Sequence, residues 1–215
     1  MLLSELFWWM HIIGILVFMN YLYYSKHLHI LLAFPNTYFA NLNPDGQFDN
    51  LESVTKEVKL MMDPNADPFA ASAEPDAAPA KFGASDVQDL NWVQLLNAYT
   101  CTECGRCTSS CPANQTGKKL SPRKIMMDTR DRLEEVGKNI DANKGVFIPD
   151  NKTLLNDYIT AEELWACTSC NACVEECPVS ISPLSIIMDM RRYLVMEQSA
   201  APMSLNAMMS NIENN

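Results

Sequence analysis

The sequence of 215 residues has no cysteine outside two short motifs and contains only three histidines. All eight cysteines fall within residues 101–111 and 167–177. None is therefore left over for a structural disulfide or for a separate thiol active site. Disulfide frameworks are typical of small secreted domains, and the N-terminus lacks the basic region and small-residue cleavage site of a signal peptide.

Basic residues are also scarce, with 16 Lys and Arg against 26 Asp and Glu, which gives a net charge of −10. The excess is uneven. Residues 41–100 carry ten acids and three bases, whereas residues 101–215 carry fifteen acids and twelve bases. Proteins that bind nucleic acids concentrate positive charge on one face, so this composition argues against a nucleic-acid partner.

The cysteines form two copies of the spacing C-x2-C-x2-C-x3-C-P, at 101–112 and 167–178. This is the spacing of bacterial [4Fe–4S] ferredoxins, in which the fourth cysteine of each run ligates the other cluster. We therefore predict two [4Fe–4S] clusters with crossed ligation. The first cluster is assigned to Cys101, Cys104, Cys107 and Cys177, and the second to Cys167, Cys170, Cys173 and Cys111.

Zinc is the alternative reading of such cysteine pairs. Structural zinc sites take four ligands, usually as two separated pairs. The third and fourth cysteines of each run, and the Pro that follows them, are superfluous for zinc.

Eight reduced cysteines also indicate a reducing compartment, so we expect the cluster domain to lie in the cytoplasm.

The N-terminus is a different kind of sequence. Residues 6–24 carry no formal charge, and 19 helical residues at ~1.5 Å each span roughly the ~30 Å hydrocarbon core of a bilayer. Aromatic residues lie at both ends, as at membrane interfaces, and Lys26 follows directly. We predict one transmembrane helix in the cytoplasmic membrane with its N-terminus outside. A buried core helix is the alternative.

His11 and His29 lie in this N-terminal region, 18 residues apart. In an unbroken helix that separation is five whole turns, so both rings would share one face, ~27 Å apart. Ionisable residues within a membrane are candidates for function. Each histidine is therefore a candidate axial ligand for a haem b shared with a partner subunit. The alternative is a pair of ordinary interfacial histidines.

Composition divides the chain into four regions: a transmembrane and interfacial helix (1–40), an acidic Pro- and Ala-rich linker (41–84), a dicluster domain (85–200) and a C-terminal tail (201–215). Within the linker, residues 63–81 contain four prolines and many alanines. We expect this stretch to be flexible. Its alternative role is a docking strip for a basic partner.

Helical signals flank both cysteine motifs. An apolar stripe predicts a helix over 87–99, and Thr160 with Glu163 forms a capping box before the second motif. Ser-Pro pairs at 121–122 and 182–183 predict helices after the motifs. The pieces repeat, since SPRKIMMDTR (121–130) aligns with SPLSIIMDMR (182–191). The expected fold is mainly α, with one transmembrane helix and an all-α pseudo-twofold dicluster ferredoxin domain.

With these motifs and repeats, residues from about 85 to 200 resemble the helical dicluster ferredoxin domain of heterodisulfide reductase C-subunits and of glycerol-3-phosphate dehydrogenase iron–sulfur subunits. The N-terminal WWMHIIGILVFMNYLYYSKHLHILLAFPN resembles the last membrane helix of the nitrate-reductase gamma-type haem b domain. In that family two histidines on a late helix serve two haems, and His11 and His29 match their spacing. The other membrane helices and a CCG-type catalytic domain would then belong to separate subunits or to a longer chain.

These observations predict a membrane-anchored electron-transfer subunit of a respiratory-type oxidoreductase that is not catalytic by itself. The resemblance implies a membrane partner with haem b or a quinone site, and a cytoplasmic partner that is a CCG-type or flavoprotein redox subunit. Two alternatives stay open. The chain could be a structural or assembly module whose clusters do not cycle, or a soluble dicluster ferredoxin.

Overall fold

The computed structural model describes residues 2–25, 27–44, 46–63 and 81–214. Within these ranges the chain is mainly helical and forms no β-strand. The predicted fold class is therefore confirmed. The structure has an N-terminal apolar helix, a helical connection and a compact cluster domain built from two similar units.

The first helix, α1 (Leu2–Leu22), is long and apolar enough to cross a membrane, and none of the apolar stretch is buried against the rest of the chain. The helix ends at Leu22, and α2 (Leu28–Tyr38) begins after a turn. The premise that His11 and His29 lie on one face of an unbroken helix is therefore wrong.

The helix α2 contains a proline, Pro35, and continues through it to Tyr38. Its inner face is fastened to the cluster domain. Asn36 is buried and donates from Nδ2 to the carbonyl oxygen of Val179 at 2.7 Å. Just beyond the helix, Phe39 meets Trp92 edge to face at 4.7 Å between ring centroids. Long-range contacts therefore tie α2 to the domain and offset the hydrogen bond that proline removes.

A short helix, α3 (Glu52–Met62), lies within the region predicted as a linker. The adjoining Pro- and Ala-rich residues 64–80, for which flexibility was predicted, lie outside the described residues.

The domain begins with a close approach at Gly83. This residue has φ +76°, and a Cβ there would collide with the carbonyl oxygen of Asp189 and lie 2.5 Å from the backbone nitrogen of Tyr193. The next residue, Ala84, donates its amide to that same Asp189 oxygen at 3.0 Å. Only glycine combines this dihedral with this proximity.

The predicted helix over 87–99 is divided in the structure. Val87–Asp89 forms one 3₁₀ turn, and α4 (Trp92–Thr100) starts afresh. Asn91 interrupts the helix because its side chain accepts from the amide of Gln94 at 2.9 Å, while Gln94 Oε1 accepts from the amide of Asn91. This reciprocal capping box is the local signal for a helix start, and the apolar stripe concealed it.

The two cysteine units follow. The first unit contains α5 (Arg106–Ser109), α6 (Pro112–Gln115) and α7 (Pro122–Ala142). The second unit contains α8 (Ala161–Ala166), α9 (Ala172–Glu175) and α10 (Pro183–Met196), and α11 (Met203–Glu213) follows. The predicted caps at Ser121, Thr160 and Ser182 are all confirmed by hydrogen bonds from the amide three residues on.

The core lies between α7 and α10. Their fully buried apolar side chains are Ile125, Met126, Ile186, Ile187 and Met190, each at most 1% exposed. Apolar burial of this kind is the main favourable term in folding. The core therefore fixes the two helices that follow the cysteine motifs, and with them the position of both motifs.

One charged side chain also lies in this interior. Arg132 on α7 is 0% exposed and is surrounded by Asp86, Asp150 and the carbonyl oxygen of Lys152. Its Nη1 lies 2.5 Å from Asp150 and its Nη2 lies 2.8 Å from Asp86. Arg132 therefore joins the start of the domain to the loop between the two units.

Candidate metal centre

Both cysteine loops adopt the same unusual backbone path. Glu103 and Gly105 have φ of 60° and 83°, and their counterparts Ser169 and Asn171 have φ of 55° and 60°. Alternating left-handed residues curl the chain tightly, so successive cysteines point toward one centre. Gly and Asn adopt this conformation readily. Gly105 directly precedes α5, which carries the third cysteine of the first motif, and Asn171 directly precedes α9, which carries the third cysteine of the second motif.

The structure brings the first predicted set of cysteines together. A cavity of about 260 Å³ is lined by Cys101, Cys104, Cys107 and Cys177. Cys104 is exposed, whereas the other three are partly buried. Cys177 comes from the second unit, and it is close enough to Cys101 and Cys107 for its charge to affect their pKa values. The fourth member thus reaches this group across the pseudo-twofold axis.

The second set is grouped in the same way. The thiols of Cys111 and Cys170 both interact electrostatically with Cys167 and with Cys173. Cys111 belongs to the first unit and is buried, and Cys170 is exposed. Cys173 also interacts electrostatically with Cys107 and lines the first cavity. The two groups of sulfur atoms are therefore neighbours.

Burial raises the pKa of the Cys101, Cys107 and Cys167 thiols and raises the pKa of Cys173 to about 12. Nearby cysteines raise these values further. Thiols at such sites stay protonated at neutral pH unless a cation compensates their charge, and metal ligation does this. The donor set and the burial fit an iron–sulfur cluster at each group, and the cavity offers space for one at the first group.

A zinc ion and a cubane cluster require different spacings of their sulfur ligands. Zinc holds its sulfur ligands at about 2.3 Å, which brings the four sulfurs close together. Among the residues that the structure describes, no three Cys, His, Asp or Glu side chains are close enough to share one metal ion. Cubane ligands cap a larger core and stand further apart.

Two arginines that sequence reasoning did not single out hold the loops in place. Arg130 Nη1 donates to the carbonyl oxygen of Cys101 at 3.4 Å, and Arg191 Nη2 donates to that of Cys167 at 2.5 Å. Each guanidinium therefore anchors the first cysteine of its motif. The signal was present in the sequence, because both arginines close the aligned repeats SPRKIMMDTR and SPLSIIMDMR.

The two predicted haem-ligand histidines lie in different surroundings. His29 on α2 lines the same cavity as Cys101 and Cys104. His11 lies on α1 beside Phe7, Gly14 and other side chains of that helix. Because α1 and α2 are separate helices, the regular turn of a single helix does not relate the positions of the two rings. Haem ligation by His11 and His29 stays a prediction.

Comparison with known proteins identifies the class of this domain. Residues 100–181 match the family model of the 4Fe-4S dicluster domain. These residues are therefore similar to 4Fe-4S dicluster domains, which supports the predicted iron–sulfur chemistry. No solved structure matches the chain.

Two relatives that match almost the whole of this chain are named as oxidoreductases. The protein named "probable iron-sulfur-binding oxidoreductase FadF" of Bacillus subtilis is 30% identical over 96% of this chain and 30% of its own length. "EtfAB:quinone oxidoreductase" of Syntrophomonas wolfei is 28% identical over 98% of this chain and 29% of its own. This chain thus spans less than a third of the length of either relative.

A third relative supports the predicted domain type. The C-subunit of the ferredoxin/F(420)H(2)-dependent CoB-CoM heterodisulfide reductase of Methanosarcina acetivorans is 35% identical over 50% of this chain and 52% of its own length. The predicted resemblance to heterodisulfide reductase C-subunits is therefore confirmed. The resemblance of the N-terminal helix to a haem b domain stays a prediction.

Proposed function

We propose that this chain relays single electrons between a membrane redox module and a cytoplasmic redox partner. The observation that carries the proposal is the placement of two interlocked groups of four cysteines beside each other, on a domain fastened through α2 to a helix able to cross a membrane. An iron–sulfur cluster held at each group supplies reversible one-electron chemistry. Neighbouring clusters would give the electron a path through the domain.

The proposed ligands are crossed between the units. Cys101, Cys104, Cys107 and Cys177 hold the first cluster, and Cys167, Cys170, Cys173 and Cys111 hold the second. The grouping of the thiols across the pseudo-twofold axis supports this assignment. Crossed ligation would also make each cluster a covalent link between the two units, so the domain should lose stability when either cluster is removed.

The protein's own residues tune and protect these sites. The core between α7 and α10 keeps water from one side of each group, while Cys104 and Cys170 leave one edge of each group exposed. An exposed edge suits electron exchange with a partner, and burial and hydrogen bonds to sulfur set the potential. One such bond is donated by the amide of Ser169 to Cys167 Sγ at 3.4 Å.

The first cluster is proposed to lie nearer the membrane. His29 of α2, which follows the apolar helix α1, lines the first cavity. The second cluster would then face the cytoplasmic partner. We further propose that α1 crosses the cytoplasmic membrane with its N-terminus outside. The name of one relative, a "probable membrane-anchored ferredoxin" of Chromohalobacter salexigens, supports the attachment to a membrane.

The partners are proposed by class. A quinone or haem b module in the membrane and a flavoprotein or CCG-type redox protein in the cytoplasm fit a one-electron relay. The name of the Syntrophomonas relative, an EtfAB:quinone oxidoreductase, supports a quinone as the redox partner in the membrane. His11 lies on the apolar helix, away from the cysteine cavity, and is kept as a proposed haem ligand. His11→Ala in the native complex should remove one haem b signal from the optical spectrum.

A redox titration of the full chain in detergent tests the proposal. Electron paramagnetic resonance (EPR) should show two clusters that are reduced and reoxidised reversibly. Chemical analysis should find eight irons and eight sulfides per chain. Clusters that are present but do not cycle would support the assembly-module alternative. Recovery of the chain from cells without detergent would instead support a soluble ferredoxin.

A further inference from the structure

The arginines Arg130 and Arg191 occupy equivalent positions but have different neighbours. In the first unit, Arg130 Nη2 lies 2.5 Å from Glu103 Oε1, so the guanidinium is paired with a carboxylate. In the second unit, Arg191 Nη1 lies 3.4 Å from Ser169 Oγ, and the guanidinium lies 5.0 Å from the ring centroid of Trp165. Among the residues that the structure describes, Arg191 forms no ion pair with a carboxylate.

The difference arises at one repeat position. Glu103 and Ser169 both follow the second residue of their motifs, and both have a left-handed backbone, with φ of 60° and 55°. Each side chain is therefore presented to its arginine from the same direction. One unit places a negative charge there and the other a neutral hydroxyl.

Partly buried cations seldom lack a counter-ion, because removing a charge from water is costly. The four thiolates around a cluster outweigh the positive charge of its iron–sulfur core, so a ligated site is anionic and becomes more so on reduction. Each arginine interacts electrostatically with the first cysteine of its motif, Arg130 with Cys101 and Arg191 with Cys167, but only Arg130 is also paired with a carboxylate. The anion that Arg191 faces is therefore the cluster site itself, and a nearby cation favours the reduced state.

Other charged residues lie near the two sites. Arg106 and Arg123 line the first cavity, and Glu175 and Glu176 lie between Cys173 and Cys177 in the chain. All four of these charged residues are exposed. Water and salt screen exposed charges strongly. The partly buried pairs Glu103–Arg130 and Ser169–Arg191 act through a lower dielectric, so they have the larger electrostatic effect on the cluster sites.

We propose that the residue at repeat position 103/169 sets the reduction potentials of the two clusters, through the arginine that it does or does not neutralise. Glu103 cancels the charge of Arg130, which keeps the potential of the first cluster low. Ser169 leaves Arg191 uncompensated, which raises the potential of the second cluster. The inference rests on the proposed cluster assignment and adds a cause for a potential difference along the relay.

Exchanging the two residues tests the proposal in the full chain. The variants are Glu103→Ser and Ser169→Glu, and the measurement is an EPR-monitored redox titration. Glu103→Ser should raise the potential of the first cluster, so that its reduced-to-oxidised ratio at a fixed potential increases about tenfold, which is a shift of about 59 mV for one electron. Ser169→Glu should lower the potential of the second cluster by a similar factor.

Each variant is a control for the other, because the untouched cluster should keep its potential. Arg130→Gln should lower the potential of the first cluster, and the double variant Glu103→Ser with Arg130→Gln should return it close to the wild-type value. Iron content shows that both clusters are retained. If the Ser169→Glu variant loses iron, the Ser169→Asp variant is titrated in its place. If the Glu103→Ser variant loses iron, the Glu103→Gln variant is titrated in its place.

Unchanged potentials in variants that retain eight irons would overturn the proposal. A shift of the wrong sign, or equal shifts of both clusters, would overturn it as well. Failure of the relay function itself would look different, since the wild-type clusters would then show no reversible reduction at all.

Discussion

The two cysteine units follow the same course near the clusters and diverge away from them. In each unit a helix with a capping box leads to the first cysteine, left-handed residues curl the loop, and a Ser-Pro cap opens the helix that carries the anchoring arginine. Beyond that point α7 continues to 21 residues and α10 to 14. We call the leading helix, the cysteine loop and the start of the following helix the inner part of each unit, and the remainder of α7 or α10 the outer part. The proposed cluster ligation constrains the inner part, whereas the outer part is constrained only by packing.

The outer ends of the units show the divergence most clearly. Arg132 of the first unit and Tyr193 of the second lie two residues after the anchoring arginines. Arg132 is buried among carboxylates, whereas the ring of Tyr193 lies 5.0 Å from Lys81 Nζ. Residues 81–90 thus attach to the two units by different chemistry, and each attachment can be broken separately.

Arg132→Met should have the largest effect on stability. The substitution leaves Asp86 and Asp150 without their cation. Removing one partner of a fully buried ion pair costs about 3–5 kcal/mol, and the loss here should lie at or below about 3 kcal/mol because both carboxylates are partly exposed. Chemical denaturation followed by circular dichroism measures the loss. Tyr193→Leu is the matched change in the second unit, because it removes the ring that Lys81 contacts, and it should cost much less. Equal losses would contradict the difference between the two attachments.

The stability that the Arg132–Asp150 pair contributes should depend on pH. Hydrogen bonds from Arg132 are the main reason that the pKa of Asp150 is lowered to about 2, from an ordinary value of 3.8. A lowered pKa stabilises the fold above the ordinary value, and this stability is lost as pH falls from about 4 toward 2. The Arg132→Met variant should lack this part of the pH dependence in unfolding titrations.

Gly83→Ala should have the next largest effect, because the added Cβ meets the backbone of α10 at Asp189 as well as requiring φ of +76°. Gly117→Ala is its control, since Gly117 has φ +80° but no atom within 4 Å of its Cβ position. The control should cost only the dihedral strain, roughly 1–2 kcal/mol. Thermal unfolding should therefore rank Gly83→Ala below Gly117→Ala, and the opposite order would show that the close approach is not required.

The capping boxes should give the smallest effects and the most similar ones. Asn91→Ala and Thr160→Ala each remove an N-cap from the helix that leads into a motif, at about 1 kcal/mol each. Because the inner parts of the units are alike, denaturation curves should show comparable losses for the two variants. A loss confined to one unit would argue that the leading helices do not play equivalent roles.

Much of the inner part of the units could be predicted from the sequence. The cysteine spacing, the Ser-Pro caps and the Thr160 capping box are local signals, and the structure bears out each cap. The helix start at Asn91 was missed, although Asn91 and Gln94 carried the same signal as Thr160 and Glu163. An apolar stripe from Leu90 onward outweighed it.

The remaining differences depend on contacts between distant residues. The turn between Leu22 and Leu28 removes the shared face of His11 and His29, and no sequence period marks it. Persistence of α2 through Pro35 depends on Asn36 reaching Val179, 143 residues away. The burial of Arg132 likewise needs Asp86 and Asp150, which local patterns cannot bring together. Tertiary contacts override local preference at these places.

The crossed ligation of the two clusters is the central claim, and replacing one fourth cysteine tests it most directly. In Cys111→Ser, EPR and Mössbauer spectra of the full chain should show a changed or lost cluster at the Cys167, Cys170 and Cys173 group. The cluster at Cys101, Cys104 and Cys107 should be preserved, and Cys177→Ser should give the converse. If Cys111→Ser instead alters only the cluster of its own motif, the units are not interlocked and crossed ligation is wrong.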